Sequence, residues 1–286
     1  MLASFLRMVE PPNSEIPAVP LLGARLRLAL MGACIAAYSA VCGIGGGLFM
    51  TPILHYVRKL PLKNAVATSL ALVSASATSA TIAELLHEDG RLTSDRFLLI
   101  GALVLGSLLG AQAGFVVAKR IDVTLLKLLF AIILLISGAR LLFPAEQAAV
   151  IASEMAVSHL EIAFASIVGF AAGFLAPLLG IGGGLVAVPA LFLGVPSLGY
   201  LGARACGMAM GACASSRALW LYAREGVVDK HRATALACGA LIGASIGVQF
   251  VHFEGAVVIA KKLMGITLWV VCVRFVMDVI RSRTAR

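Results

Sequence analysis

The sequence predicts an all-α polytopic membrane protein made of two homologous repeats, each with four hydrophobic segments. Three observations predict this fold class: the composition, the length of the charge-poor runs, and a glycine motif that occurs twice. Of the 286 residues, 60% are hydrophobic and 13% are charged. Soluble domains are nearer half apolar and a quarter charged. A soluble fold of this size cannot hide so much apolar surface, so lipid must cover it.

The hydrophobic segments follow one another along most of the chain, with charged residues between them. A helix needs about 20 residues to span a bilayer. The predicted segments are 28–57, 65–86, 97–118, 128–143, 162–203, 205–223, 233–251 and 263–280. They give the predicted organisation: a tail at 1–27, a first repeat at 28–143, a linker at 144–161, a second repeat at 162–281 and a tail at 282–286.

A repeated motif relates the two halves. Gly43-Ile44-Gly45-Gly46-Gly47 recurs as Gly180-Ile181-Gly182-Gly183-Gly184, at an offset of 137 residues. The same offset relates Pro52 to Pro189, and also Gly106, Gly110 and Gln112 to Gly243, Gly247 and Gln249. A near-constant offset over this length predicts an internal repeat, which is a common plan among secondary transporters.

The first and fifth segments are too long to be single straight membrane helices, and each contains one copy of the glycine motif. If each crosses once as a broken helix, a repeat has four crossings and the repeats are parallel. If each is a re-entrant hairpin, a repeat has three crossings and the repeats are inverted. The hairpin arrangement puts more of the Lys and Arg residues on the amino-terminal side, so the positive-inside rule favours inverted repeats with both termini in the cytoplasm.

Several function classes do not fit the composition. The net charge is +9, but the basic residues lie in short loops and tails between apolar runs, which is typical of membrane proteins rather than nucleic-acid binders. The six cysteines form no C-x-x-C pair, and no metal-ligand spacing occurs among the His, Cys and acidic residues. We therefore expect no enzyme activity, no cofactor, no metal and no nucleic-acid partner.

The glycine motif is not a nucleotide-binding loop. Leu48 and Leu185 stand where a P-loop needs its lysine and where a dinucleotide fingerprint needs its last glycine. A bend for tight helix packing is one interpretation. The other is an unwound segment at membrane depth, which is tolerated only where protein buries it or a cavity hydrates it. A helix restarting at Leu48 or Leu185, with Pro52 or Pro189 near its first turn, would aim free N–H groups at that point.

The stretches GIGGGLFMTPIL and GIGGGLVAVPALFL resemble the paired signature of the TauE/SafE family of sulfite exporters, and Ala65-Val66-Ala67-Thr68-Ser69 is similar to the family's first half. The resemblance implies transport of sulfur-containing or related organic anions without ATP. It also implies that the two motifs line a central site: Gly43, Gly45, Gly46, Gly47, Pro52, Gly180, Gly182, Gly183, Gly184 and Pro189. The second half departs from the pattern, because Ala205-Cys206 or Cys206-Gly207 replaces Thr68-Ser69.

Charged and amide side chains within the segments are further candidates. Arg204 either binds the anion or lies among lipid headgroups, and Arg217 is either functional or snorkels to an interface that Trp220 marks. Glu84 either couples transport to protons or snorkels at a helix end. Gln112 and Gln249 either bond neighbouring helices or line a cavity.

The leading hypothesis is a secondary transporter of a small anion, such as sulfite or a sulfonate, in a bacterial inner membrane. It works by alternating access around the two glycine motifs, and H⁺ is the candidate coupling ion. The alternative is a channel-like anion pore. The sequence does not determine the oligomeric state.

Overall fold

The computed structural model describes residues 21–86, 97–118, 135, 138, 159–253 and 255–284. The described residues form helices and short connections and include no β-strand. We number the α-helices in chain order: α1 Leu21–Cys42, α2 Gly47–Pro52, α3 Leu62–Leu85, α4 Phe97–Ala118, α5 His159–Leu179, α6 Gly184–Gly194, α7 Gly199–Arg224, α8 Lys230–Val251 and α9 Ala256–Thr284. A π-helical turn, Ile53–Val57, extends α2, and a 3₁₀ turn, Pro196–Leu198, precedes α7.

Six of these helices are long and apolar enough to cross a membrane: α1, α3, α4, α5, α8 and α9. The predicted multi-pass helical class is therefore confirmed. Helix α7, with 26 residues, is also long enough, but it carries arginines and is largely enclosed by its neighbours. The runs Gly47–Val57 and Gly184–Gly194 are apolar but too short to cross. The predicted segment 128–143, with Arg140, lies outside the described residues apart from positions 135 and 138.

In three places a helix extends into a predicted tail or linker. Helix α1 begins at Leu21, within the predicted tail, and α5 begins at His159, within the predicted linker. Helix α9 continues to Thr284, within the predicted C-terminal tail. The prediction followed the apolar run alone, whereas a helix continues beyond the hydrocarbon region as long as polar side chains such as that of Arg25 can reach solvent.

Side-chain contacts fix the directions of the helices. At one end of the molecule, Arg25 at the start of α1 donates to His231 at the start of α8, over 3.3 Å. At the same end, Lys63 at the start of α3 pairs with Glu225 just after α7, over 2.9 Å. We call this the basic end, because it also holds Arg27, Arg58, Lys59, Arg224, Lys230 and Arg232.

The opposite end is marked by Glu84 near the end of α3. Its carboxylate pairs with Arg204 in the second turn of α7 and approaches His252 just after α8. We call it the Glu84 end. Helices α3 and α7 therefore lie antiparallel.

The chain segment formed by α1 and α2 begins and ends at the basic end. Helix α1 begins there, and Ala40 near its far end contacts Arg204 at the Glu84 end. The chain then turns at residues 43–46, and α2 leads back to residues 58–61 and the start of α3. Helices α5 and α6 make the same path from the Glu84 end, since Pro177 near the end of α5 contacts Tyr222 at the basic end and α7 starts at the Glu84 end.

Two seams of glycine hold the outer helices together. An added Cβ on Gly106, Gly110 or Gly114 of α4 would collide with the carbonyl oxygens of Ser166, Phe170 and Phe174 on α5. In the same way, Gly239, Gly243 and Gly247 of α8 face the carbonyl oxygens of Ala29, Ala33 and Ala37 on α1. Small residues let helix backbones approach closely, which is how membrane helices gain packing energy without a hydrophobic drive.

These contacts bear on one predicted correspondence. If the two halves are repeats, the contacts match Gly106 with Gly239, whereas the constant offset of 137 paired it with Gly243. The match of Gln112 then lies one helical turn before Gln249. The reason is that the two seams repeat glycine every fourth residue, so a shift of one turn aligns them almost as well.

We predict that Gly110→Ala lowers the apparent melting temperature of the purified protein in detergent. The new methyl group would meet the backbone of α5, and overpacking of this kind costs about 1–3 kcal/mol. The matched control is Gly101→Ala on the same helix, which meets nothing within 4 Å and should hold or raise the melting temperature. Equal melting temperatures for the two variants would contradict the seam.

Candidate functional site

The chain leaves helical geometry at both glycine motifs. Helix α1 ends at Cys42 and α2 begins at Gly47, while α5 ends at Leu179 and α6 begins at Gly184. Within each gap three glycines have φ between 69° and 86°, a region that L-residues with a Cβ rarely adopt. They are Gly43, Gly45 and Gly46 in the first gap, and Gly180, Gly182 and Gly183 in the second.

The two gaps cross each other in the centre of the molecule. An added Cβ on Gly47 would collide with the carbonyl oxygen of Gly180, and one on Gly184 would collide with that of Gly43. Residues 41–48 and 180–189 are all buried. The starts of α2 and α6 therefore lie side by side, so the unbonded first N–H groups and positive dipole ends of both helices are concentrated at one buried point.

Pro52 and Pro189 lie in the bodies of α2 and α6, rather than at the predicted first turn. In α2 the π-helical turn follows Pro52 directly, at the place where the missing N–H interrupts the α-helical bonding. Both short helices are buried along most of their length.

Helix α3 supplies hydroxyl groups to the crossing. Ser69 Oγ lies 2.8 Å from Thr51 Oγ1 on α2 and donates over 3.4 Å to the carbonyl of Gly180. Ser76 Oγ donates over 3.3 Å to the carbonyl of Gly45. Thr68 is elsewhere, because its Oγ1 accepts from the backbone N–H of Asp229 at the basic end. Of the predicted hydroxyl pair, the structure brings Ser69 to the crossing and not Thr68.

The second half has no hydroxyl pair at the matching place. There an added Cβ on Gly207 of α7 would meet Val188 of α6, the residue at the position of Thr51. If the two halves are repeats, this contact favours Cys206-Gly207 over Ala205-Cys206 as the match of Thr68-Ser69. Cys206 is fully buried and packs in an apolar cluster with Ile44 and Val188.

Arg204 and Glu84 form a buried ion pair beside the first gap. Arg204 is 0% exposed, and its side-chain stem passes Gly43. The guanidinium pairs with the Glu84 carboxylate, and its Nη1 donates over 2.6 Å to the carbonyl of Ala40. Glu84 is 5% exposed. The interpretations of Arg204 as a headgroup arginine and of Glu84 as a snorkelling end residue are therefore wrong, because each buries its charge against the other.

Arg217, Gln112 and Gln249 do not reach the crossing. Arg217 Nη2 donates over 2.9 Å to Gln112 Oε1, and its guanidinium lies 4.6 Å from the Trp220 ring centroid. Arg217 and Gln112 therefore connect α7 with α4, as interhelical bonding predicts. Gln249 is exposed at the rim of a cavity of about 370 Å³ between α3 and α8, which Ser79, Leu86 and Ser245 also line.

Comparisons with known proteins agree with this architecture. The family model described as "Sulfite exporter TauE/SafE" matches residues 1–141 and 165–286, which is nearly the whole chain. The chain belongs to the TauE/SafE family. A Haemophilus influenzae protein named "Probable membrane transporter protein" is 29% identical over 163 residues, covering 57% of this chain and 59% of that relative. The match therefore spans less than two thirds of that relative. No solved structure matches the chain.

Sequence reasoning missed one residue in this TauE/SafE protein. His252 lies just beyond α8, its Nε2 is 3.8 Å from Glu84 Oε2, and its side chain is 9% exposed. A histidine beside a glutamate that lies 168 residues earlier in the chain leaves no sequence signal. Among the described residues, no group of three or more His, Cys, Asp or Glu could hold a metal ion.

We predict strong coupling between Glu84 and Arg204 in stability. Removing one member of a buried ion pair costs about 3–5 kcal/mol, because the other charge is left buried without a partner. Arg204→Met and Glu84→Gln should each lower the melting temperature in detergent by more than the double variant does. The control is Lys63→Met, which removes an exposed pair with Glu225 worth about 0–1 kcal/mol. Additive losses in the double variant would contradict the buried pair.

Proposed function

We propose that this TauE/SafE protein is a secondary transporter that carries a small sulfur-containing or organic anion by alternating access. The observation that carries the proposal is the crossing of two non-helical glycine segments in the buried centre of a multi-pass protein. Irregular backbone at membrane depth is characteristic of transporter substrate sites, where half-helix ends coordinate the substrate. The site we propose consists of the glycines of both motifs, Pro52, Pro189, Ser69, Cys206 and Arg204.

We also propose that the two halves are inverted repeats. Cys42 and Leu179, which end α1 and α5, differ by the same 137 positions as the glycine motifs, and α4 and α8 match end to end with an offset of 133. Two arrangements support inversion over parallel repeats. Matching helices α3 and α7 are antiparallel, and the paths α1–α2 and α5–α6 return to opposite ends, as re-entrant hairpins do. The repeats would occupy 28–143 and 162–281, joined by the linker 144–161 and flanked by the tails 1–27 and 282–286.

The orientation follows from the charges. The basic end holds most of the Lys and Arg residues of the described loops, whereas the Glu84 end holds Lys261 and Lys262 in the first turns of α9. The positive-inside rule assigns the basic end to the cytoplasm of a bacterial inner membrane. Helix α1 starts there and α9 runs back there, so both termini would be cytoplasmic.

The closed centre favours a transporter over the channel-like alternative. Both glycine segments are buried, so the site as described is shut from both ends. A conducting pore would require a hydrated path between the ends. Alternating access requires a closed state of this kind between its two open states.

Charge supports an anion as the substrate. One helix start contributes at most about 2 kcal/mol toward an anion, but here two starts and a buried guanidinium lie close together. Glu84 is the acidic group next to Arg204, and we propose H⁺ as the coupling ion. Membrane transport requires no catalytic group or cofactor, and we assign none.

Anion binding and flux in purified protein test the function. We expect a sulfur-containing anion from a panel of sulfite, sulfate, thiosulfate, sulfonates and small carboxylates to raise the melting temperature. The same anion should exchange across proteoliposomes with saturable flux. Gly46→Val and Gly183→Val should lower the flux by more than about tenfold. The new side chains would meet Leu72 and the carbonyl of Ala172 at the crossing, in addition to the cost of a positive φ for a β-branched residue.

The control for the glycine variants is Gly226→Val. Gly226 has a similar φ of 71°, but nothing lies within 4 Å of an added Cβ and it lies between α7 and α8. It should insert normally and retain flux. Wild-type flux in folded Gly46 and Gly183 variants would disprove the site. Absence of binding and flux for the whole panel would disprove anion transport, and single-channel currents would favour the pore.

Cysteine accessibility tests the orientation. In a background without the exposed Cys34 and Cys238, a cysteine at Lys59 should react only with reagents applied from the cytoplasmic side. A cysteine at Phe253, which is 68% exposed at the Glu84 end, should react only from outside. Labelling of both positions from one side would contradict the hairpin path and favour four crossings in each repeat.

A further inference from the structure

The positions of Arg204 and Glu84 are matched by uncharged residues at the other end of the molecule. Matched through the helix contacts, Arg204 corresponds to Val66 on α3, because these two residues face Gly43 and Gly180 respectively. Glu84 corresponds in the same register to Tyr222, whose hydroxyl donates over 2.9 Å to the carbonyl of Pro177. Pro177 is in turn the match of Ala40, the residue whose carbonyl accepts from Arg204.

The fold therefore does not need an ion pair in this place. At the basic end a tyrosine and a valine fill the same positions, keep the same carbonyl bonded and bury no charge. Val66 is 5% exposed and Tyr222 4%. A buried ion pair gains little stability over well-packed neutral residues and often loses some. The basic end does hold a buried pair, Asp229–Arg232, but it is local, joining the N-cap and the third residue of α8. A pair that joins two separate helices at the matched positions of α3 and α7 is found at the Glu84 end, and this indicates a function there.

We propose that Glu84 and the transported anion take turns as the partner of Arg204, and that His252 carries the proton that makes the exchange possible. This inference rests on the proposed anion transport and adds its coupling mechanism. In the state described here Arg204 and Glu84 balance each other's charge. An arriving anion would leave one uncompensated negative charge in a buried site, which costs several kcal/mol. Uptake of one proton by the Glu84–His252 pair removes that cost.

The position of His252 suits it to deliver this proton. Its Nδ1–H donates over 2.9 Å to the carbonyl of Val248, so in the neutral ring Nε2 carries the lone pair. Nε2 faces Glu84 Oε2 at 3.8 Å, and the side chain is 9% exposed, against 1% for that of Glu84. A proton from the outer solution binds Nε2 and passes to the Glu84 carboxylate. The imidazole is then neutral again, Glu84 is a neutral acid, and Arg204 is free to pair with the anion.

Three further titratable side chains of the described residues lie in this region, and their chemistry does not suit them to take up a proton near neutral pH. Cys42 on α1 lies against Arg204, and Tyr38 and Tyr200 lie near Cys42. Thiols and phenols are already protonated at neutral pH. Lys261 on α9 is 6.0 Å from the Tyr200 ring centroid. Among the described residues, proton uptake therefore falls on Glu84 and His252. The predicted stoichiometry is one proton for each monovalent anion, moving in the same direction.

The experiment compares two modes of flux in proteoliposomes, with labelled methanesulfonate as the probe and sulfite in parallel. Methanesulfonate stays a monoanion across the working pH range, so any pH effect belongs to the protein. In counterflow, where anion is present on both sides, wild type and Glu84→Gln should both exchange the probe. Under a gradient of one pH unit at zero membrane potential, wild type should accumulate the probe about tenfold. Glu84→Gln should not accumulate it.

His252→Asn should slow the accumulation driven by the pH gradient and leave counterflow unchanged. The matched control is His231→Asn, which removes the exposed histidine at the other end of the same helix and should behave as wild type. If Glu84→Gln does not fold, His252→Asn and a proton count in wild type with an internal pH dye decide the matter, with one proton expected for each anion.

Each result separates the two proposals. Accumulation by Glu84→Gln equal to wild type would overturn the proton mechanism and leave anion transport standing. So would wild-type protein that exchanges the probe in counterflow but does not accumulate it under the pH gradient. Wild-type protein that moves neither probe in either mode would overturn both.

Discussion

Direct contact between backbones is the constraint on which this structure depends. At the centre, the carbonyl oxygens of Gly43 and Gly180 occupy the space that a side chain on Gly184 or Gly47 would fill. No residue with a Cβ allows this approach, so the two gaps can cross only where glycine faces glycine. The same kind of contact recurs in the α1–α8 and α4–α5 seams. Side-chain packing then fills the space that these backbone contacts leave.

The crossing explains how the two ends of the molecule can have similar backbone paths but different side chains. A backbone scaffold built from glycine leaves the neighbouring positions of α3 and α7 free to vary. One end uses Arg204 and Glu84 there, and the other uses Val66 and Tyr222. The hydroxyl pair of Thr51 and Ser69 is likewise matched by Val188 and Gly207. The proposed repeat would in this way combine an ion pair at these positions on one side with uncharged residues on the other.

Much of the fold could be predicted because its causes are local. Long apolar runs predict membrane helices. The glycine clusters Gly43–Gly47 and Gly180–Gly184 predict the breaks in these helices, because glycine adopts left-handed φ values more easily than other residues. The pairing of Glu84 with Arg204 could not be predicted. These residues are far apart in the chain, and each alone looks like an ordinary charge at a helix end. The match between α4 and α8 was predicted with a shift of one turn for a different reason. Glycine at every fourth residue of both helices aligns almost equally well after such a shift. His252 gave no signal at all, since only the tertiary fold places it beside Glu84.

The glycine seams also have a consequence for how the chain assembles. Helix α1 packs its backbone against α8, whose partner residue Gly239 follows Ala29 only after most of the chain has been made. Until α8 has been made, lipid tails cover the face of α1 that will pack against it. Lipid tails pack against this face less closely than another helix backbone does. Such long-range pairing slows folding, because the chain must close a large loop before the contact stabilises it. We therefore expect the first half to lack its final helix contacts until the second half has been synthesised, and neither half to fold completely alone.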